Sequence, residues 1–93
     1  MAKHDLIDAL LALDGRKTAE AFLADLLTPS ELRALSERWA VAQLLDAGEL
    51  SYREIAEEAP SSTATVVRVA RFLREMPYKG YRRVLDRLEG AAP

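Results

Sequence analysis

Between Ser61 and Arg74 the chain reads Ser-Ser-Thr-Ala-Thr-Val-Val-Arg-Val-Ala-Arg-Phe-Leu-Arg. Three kinds of group are concentrated there. The hydroxyls of Ser61, Ser62, Thr63 and Thr65 can donate or accept a hydrogen bond. The methyls of Ala64 and of the threonines fit against the methyl of a thymine, and the guanidiniums of Arg68 and Arg71 suit a phosphate or a guanine edge. This is chemistry for reading an edge of double-stranded DNA, not for making or breaking a bond.

Chemistry of other kinds lacks its residues. His4 is the only histidine, and there is no cysteine. A nucleophile–base pair or a thiolate or imidazole metal site therefore has nothing to be built from. The four glycines are isolated, so no glycine-rich phosphate loop exists. Carboxylate pairs such as Glu57-Glu58 fall on solvated helix faces. No catalytic residue, metal or cofactor is expected, and the chain is not expected to be an enzyme.

The elements that must position the Ser61–Arg74 groups are helices. No alternating apolar stretch bounded by a hairpin turn occurs. A first helix is predicted over about 3–13, stopping near Asp14-Gly15. A second begins near Thr18, with Ala19, Phe22, Leu23 and Leu26 on one stripe. Thr28-Pro29-Ser30-Glu31 is a capping box, with proline at the first helical position, and opens a third helix to about Ala47. Its apolar positions are Leu32, Leu35, Trp39, Ala42 and Leu45. Gly48 is placed to end it in the left-handed conformation. Ser51 and Glu54 repeat the box and open a short helix over 52–58, which Pro60 stops. Ser61 or Ser62 caps a fifth helix over 63–75, and a last helix is predicted over about 81–89.

The fourth and fifth helices read as a helix-turn-helix. Ile55, Ala56, Ala59, Val66 and Val69 are the inward positions, and Ala56 is small enough for a close crossing. On the fifth helix Val66, Val69, Ala70 and Leu73 recur at i, i+3, i+4, i+7. Ala64, Arg68, Arg71 and Glu75 occupy the other face, so the groups listed first are brought to a surface. In this motif the N-terminal residues of the second helix meet base edges. One position departs from the usual pattern. The turn carries Pro60, whose φ is locked near −65°, where a residue tolerating positive φ is normal. Either the turn closes by another geometry, or the fourth helix ends one residue early.

Charge distribution orients this surface. The net charge is −2, but residues 1–50 hold five Lys/Arg against nine Asp/Glu, and residues 61–83 hold six against Glu75 alone. The basic stretch would attract a polyanion and the acidic half would repel it. With 49% hydrophobic residues in only 93, so small a chain suggests a core shared between copies. No apolar run approaches the roughly 20 residues of a membrane span, and the absence of cysteine fits a reducing cytoplasm; a chain that binds DNA is expected there with the nucleoid.

Residues 26–77 resemble the Trp repressor superfamily. The likeness rests on Thr28-Pro29, Gly48-Glu49-Leu50-Ser51, Tyr52-Arg53-Glu54-Ile55 and Ala64-Thr65-Val66-Val67-Arg68, all without gaps. Ser62-Thr63-Ala64-Thr65, Arg68-Val69, Arg71, Leu73 and Gly80-Tyr81 further resemble the signature of its small YerC/YecD-type members. The resemblance implies an all-α, six-helix fold that forms an intertwined homodimer. Residues 1–50 would supply dimerisation helices, 51–75 the helix-turn-helix and 78–90 a C-terminal helix. It also implies a transcriptional regulator, a repressor in kind, acting on a palindromic operator. DNA contacts carry over onto Arg53, Ser61, Ser62, Thr63, Ala64, Thr65 and Arg68; Tyr52 stands where the repressor has Gln, and is expected either to hydrogen-bond a phosphate through its hydroxyl or simply to pack. The two arginines that sandwich tryptophan in the repressor match Arg38 and Arg68. However, the following glycine is Val69 here and a serine three positions on is Phe72. These side chains crowd the effector position, so tryptophan is not expected as corepressor; Phe72 would fill the cavity, or another small molecule would take it. The alternative reading is a helical dimerisation or adaptor module that binds another protein and no DNA.

Overall fold

The structure, a computed structural model, describes residues 3–90. Among them there are six helices and no strand: α1 (Leu6–Leu11), α2 (Arg16–Leu26), α3 (Pro29–Ala47), α4 (Tyr52–Glu58), α5 (Thr63–Arg74) and α6 (Gly80–Gly90). None is long and apolar enough to cross a membrane. The chain divides within α3 into two compact units, one up to Arg33 and one from Ala34.

Three helices begin on reciprocal caps. Before α1, the Asp5 carboxylate accepts from the Asp8 N–H at 2.8 Å and the Asp5 N–H donates back to Asp8 at 3.1 Å. Before α3, the Thr28 hydroxyl accepts from the Glu31 N–H at 3.2 Å, and the Thr28 N–H donates to the Glu31 carboxylate at 2.9 Å. Ser51 and Glu54 make the same exchange before α4, at 3.2 and 3.0 Å. Each box satisfies two backbone donors that a helix start would leave orphaned. The N–H donors of Thr28 and Ser51 hold the Glu31 and Glu54 carboxyls below the usual carboxylate range. Before α3 and α4, where a box is expected, the expected start holds; α1 begins only at Leu6, behind the Asp5–Asp8 box, not near residue 3. Helix α2 has none; it starts at Arg16, two residues before the expected Thr18, with Arg16 donating to Glu20 at 2.9 Å along its first turn. Helix α1 is shorter than the expected 3–13, ending at Leu11.

In the N-terminal unit, α1 and α2 bury no residue. The expected stripe of α2 is only half-covered: Ala19, Phe22 and Leu23 are intermediate and Leu26 is exposed.

The C-terminal unit has the core. Val41, Ala42 and Leu45 of α3, Ile55 and Ala56 of α4, the cap residue Ala59, Val66, Val69, Ala70 and Leu73 of α5, and Leu85 of α6 are all buried. Helix α5 packs on both α4 and α6. Fully burying Ile55, Val66 and Val69 stabilises by about 1.5–3 kcal/mol each. Gly48 ends α3 at φ 71°, the left-handed conformation expected of it. Helix α6 is tied to α3 by charge. The Arg82 guanidinium forks onto Asp46 at 2.6 and 3.3 Å, and its Nε donates to Asp86 at 2.8 Å. Hydrogen bonds from Arg82 hold the Asp46 carboxyl below its ordinary range, and Asp46 and then Asp86 keep Arg82 charged more firmly than usual.

Candidate DNA interface

The helix-turn-helix is assembled by the close contact of α4 with α5. Ala56 and Ala59 are small enough to let Val66 bury completely against them. The turn between the helices resolves the question that Pro60 raises. Helix α4 ends at Glu58, and Ala59 sits at φ −97°, ψ 28° with its N–H on the Ile55 carbonyl at 2.9 Å. The Ser61 N–H then reaches back to the Ala56 carbonyl at 2.8 Å. Among the described residues only Gly48 and Lys79 have φ in the left-handed region, so the turn closes without a left-handed residue. Proline fits because its fixed φ is never asked to change sign.

The two serines have different fates. Ser62 is the N-cap of α5: its hydroxyl accepts from the Thr65 N–H at 3.1 Å and lies 3.0 Å from the Thr65 hydroxyl. Ser61 turns inward, and its hydroxyl is buried without a hydrogen-bond partner among the described residues. The expected readers are therefore sorted by packing. The Ser61 side chain does not face outward, Ser62 and Thr65 are engaged with each other, and Thr63 and Ala64 stand free and exposed.

Beyond them the solvent face of α5 carries Arg68, Arg71 and Arg74, all exposed. None forms an ion pair among the described residues. Arg71 and Arg74 lie in the last turn, where a cation complements the helix dipole. Arg53 is different: its Nε lies 3.8 Å from Glu57, with both side chains at the surface. So long and exposed a pair is worth little and leaves the guanidinium available. Tyr52 is bonded, across 22 residues of sequence, to Arg74, whose Nη1 donates to the phenol oxygen at 3.1 Å. Arg74 belongs to the basic stretch but not to the residues expected at the interface. Its i+3 spacing from Arg71 was the only hint of it, and its partner could not be read from spacing.

The expected effector residues differ in their settings. Val69 is buried in the core and Arg38 is exposed. The Arg68 guanidinium lies over the Phe72 ring, 4.6 Å from its centroid. A cavity of about 450 Å³ does exist beside α5, but its walls are Trp39, Phe72, Tyr78, Gly80, Tyr81 and Val84, with neither arginine among them. Trp39 stacks on Tyr81 with ring centroids 6.5 Å apart and planes 17° from parallel. Trp39 is thus a packing residue, partly buried against the core. Among the described residues no group of three His, Asp or Glu is placed to hold a metal.

An exposed cationic helix set on a small-residue crossing, behind a capped turn, has the geometry of a groove-reading motif. The sequence profile described as Trp repressor protein matches residues 2–89. The chain belongs to the Trp repressor family. The family is one of regulators, not enzymes. The chain is similar to YerC of Bacillus subtilis (strain 168), an uncharacterized protein, at 34% identity over 84 residues; the match spans 90% of this chain and 79% of that protein. It is also similar to a TrpR-like protein of known crystal structure from Eubacterium eligens ATCC 27750. That superposition has a TM-score of 0.84 at 38% identity and spans 95% of this chain and 89% of the other. The all-α, six-helix Trp repressor fold expected from the motifs is therefore the fold found.

Proposed function

We propose that the chain is a homodimeric, sequence-specific DNA-binding regulator that lays α5 in the major groove. The observation that carries this reading is the division of α5 into two faces. Val66, Val69, Ala70 and Leu73 are buried, while Thr63, Ala64, Arg68 and Arg71 are exposed and make no ion pair among the described residues. Thr63 and Ala64 meet base edges. Arg53, Arg68 and Arg71 meet phosphates, which fix register without reading sequence. Ser62 and Thr65 hold the N-terminus of α5 in shape. The exposed apolar residues of α1 and α2, Leu6, Ile7, Leu10, Leu11 and Leu26, support a second copy as their cover. Two-fold symmetry then calls for a palindromic operator with half-sites about one helical turn apart. Repression is the mode of action we assign, by kinship alone. Tryptophan is not the effector in this reading, because Phe72 takes the face of Arg68 against which an indole would stack.

The test is selection from a random duplex library, with and without free tryptophan, as salt is raised. Recovery of the same palindrome in both arms, lost in Arg68→Glu, is the expected result. Retention only at low salt with no enriched sequence would overturn the reading and leave a helical protein-binding module in its place. A palindrome recovered only with tryptophan would overturn the exclusion of that effector.

A further inference from the structure

Tyr52 opens α4 and Arg74 closes α5, yet the Arg74 guanidinium donates to the Tyr52 phenol oxygen at 3.1 Å. Both side chains lie at the surface, with Tyr52 39% exposed. They border a concavity of about 240 Å³ whose remaining walls are Val67, Ala70, Arg71 and Glu75. The rim thus carries two guanidiniums against one carboxylate. Neither Arg71 nor Arg74 is held in an ion pair by Glu75, so the cations are not neutralised where they stand.

The hydrogen bond fixes the polarity of the phenol. Its oxygen accepts from Arg74, so the phenol proton is free to point elsewhere, and a cation on the oxygen makes that O–H a stronger donor. A guanidinium has five N–H donors and no acceptor, and one of Arg74's is used. Tyr52, Arg74 and Arg71 together are therefore a set of donors converging on one concavity, suited to an oxyanion. A base edge, which mixes donors with acceptors, fits it poorly. Arg74 lies ten residues beyond Ala64, about 15 Å along the helix axis, so the set flanks the base-reading end of α5. We propose that Tyr52 and Arg74, with Arg71 beside them, clamp one backbone phosphate of the duplex at the edge of the groove that α5 enters. This rests on the reading of α5 as a DNA-contacting helix. The clamp makes Arg74 a DNA contact and assigns Tyr52 a defined role, as a donor aimed by its partner.

The test uses the full chain, a labelled duplex of random sequence and the duplex enriched from the library, with affinity measured across a salt series. Arg74→Gln is expected to weaken binding about tenfold and to reduce the log–log salt slope by about 0.9 for each clamp occupied. Tyr52→Phe is expected to weaken binding roughly threefold to tenfold, the range of one hydrogen bond, with the slope unchanged. The double variant should be no weaker than Arg74→Gln alone, since a phenol without its guanidinium is no longer aimed. Glu75→Gln should tighten binding, and all effects should be equal on the two duplexes. If Tyr52→Phe and Arg74→Gln keep wild-type affinity and slope while Arg68→Gln weakens binding, the clamp is overturned and the reading of α5 stands. A lowered melting temperature with an unaltered slope overturns it too, leaving a structural tie. Failure of the wild-type protein to bind either duplex overturns both.

Discussion

Helix α5 and helices α1 and α2 carry apolar stripes of the same kind, and the two regions use them differently. In α5 the stripe is claimed within the chain: Val66, Val69, Ala70 and Leu73 are each at most 8% exposed. In α1 and α2 no residue is buried, and Leu6, Ile7, Leu10, Leu11 and Leu26 stand between 41% and 80% exposed. Amphipathic pattern alone therefore does not tell an intrachain core from a surface kept for something else. The difference teaches where stability resides. The C-terminal unit has a core of its own, and the N-terminal helices, in the dimer proposed above, would gain theirs from a second copy.

The comparison can be broken at its strong end first. Ile55 is 1% exposed at the α4–α5 crossing. Ile55→Ala should cost about 3 kcal/mol, from lost burial and the cavity left behind, read by denaturant unfolding. A cost below 1 kcal/mol would mean the C-terminal core is not where stability lies. At the weak end, Leu11 is 80% exposed. Leu11→Glu should loosen self-association by about tenfold or more, near 1.4 kcal/mol, as measured by sedimentation at graded concentration. An unchanged association constant would remove Leu11 from the contact surface. Gly48→Ala should cost about 1 kcal/mol of unfolding free energy, because its φ of 71° is strained for any residue with a Cβ; nothing lies within 4 Å of the added methyl, so the backbone alone accounts for the loss.

The smallest effect sharpens the comparison through pH. Glu31 and Glu54, held down by their capping N–H groups, and Asp46, held down by Arg82, all have depressed folded-state pKa values. Depressed carboxyls contribute stability that is fully present above their unfolded values, near pH 4, and lost as pH falls through the folded ones. Melting temperature should therefore be flat above about pH 5 and decline in acid. Asp46→Asn should flatten the acid limb, since it removes the carboxyl that the Arg82 hydrogen bonds hold down.

Much of the architecture could be read before any coordinates. Helices α3 and α4 begin where Thr28-Glu31 and Ser51-Glu54 say they must, because a capping box is a local exchange completed within four residues. The start of α5, its buried stripe and its exposed arginines follow from the Ser61-Ser62 pair and a 3.6-residue period; its end, expected near 75, falls at Arg74. Helix α2 starts two residues before the expected Thr18, because its start has no side-chain cap to announce it.

Residue types and short-range spacing thus determined the helices, the motif and the face of α5 that meets solvent, since each depends on interactions within a turn or two of the chain. Tertiary structure alone decided that Ser61 turns inward while Ser62 caps, that Arg82 forks onto Asp46, and that Arg74 reaches Tyr52. It also decided that Leu6, Ile7, Leu10, Leu11 and Leu26 of α1 and α2 stay exposed. Between the two fates of Ser61 and Ser62 the turn's backbone path chose. The Arg82 and Arg74 pairings join residues 36 and 22 positions apart, which no periodicity encodes and only the packing of one helix on another brings together.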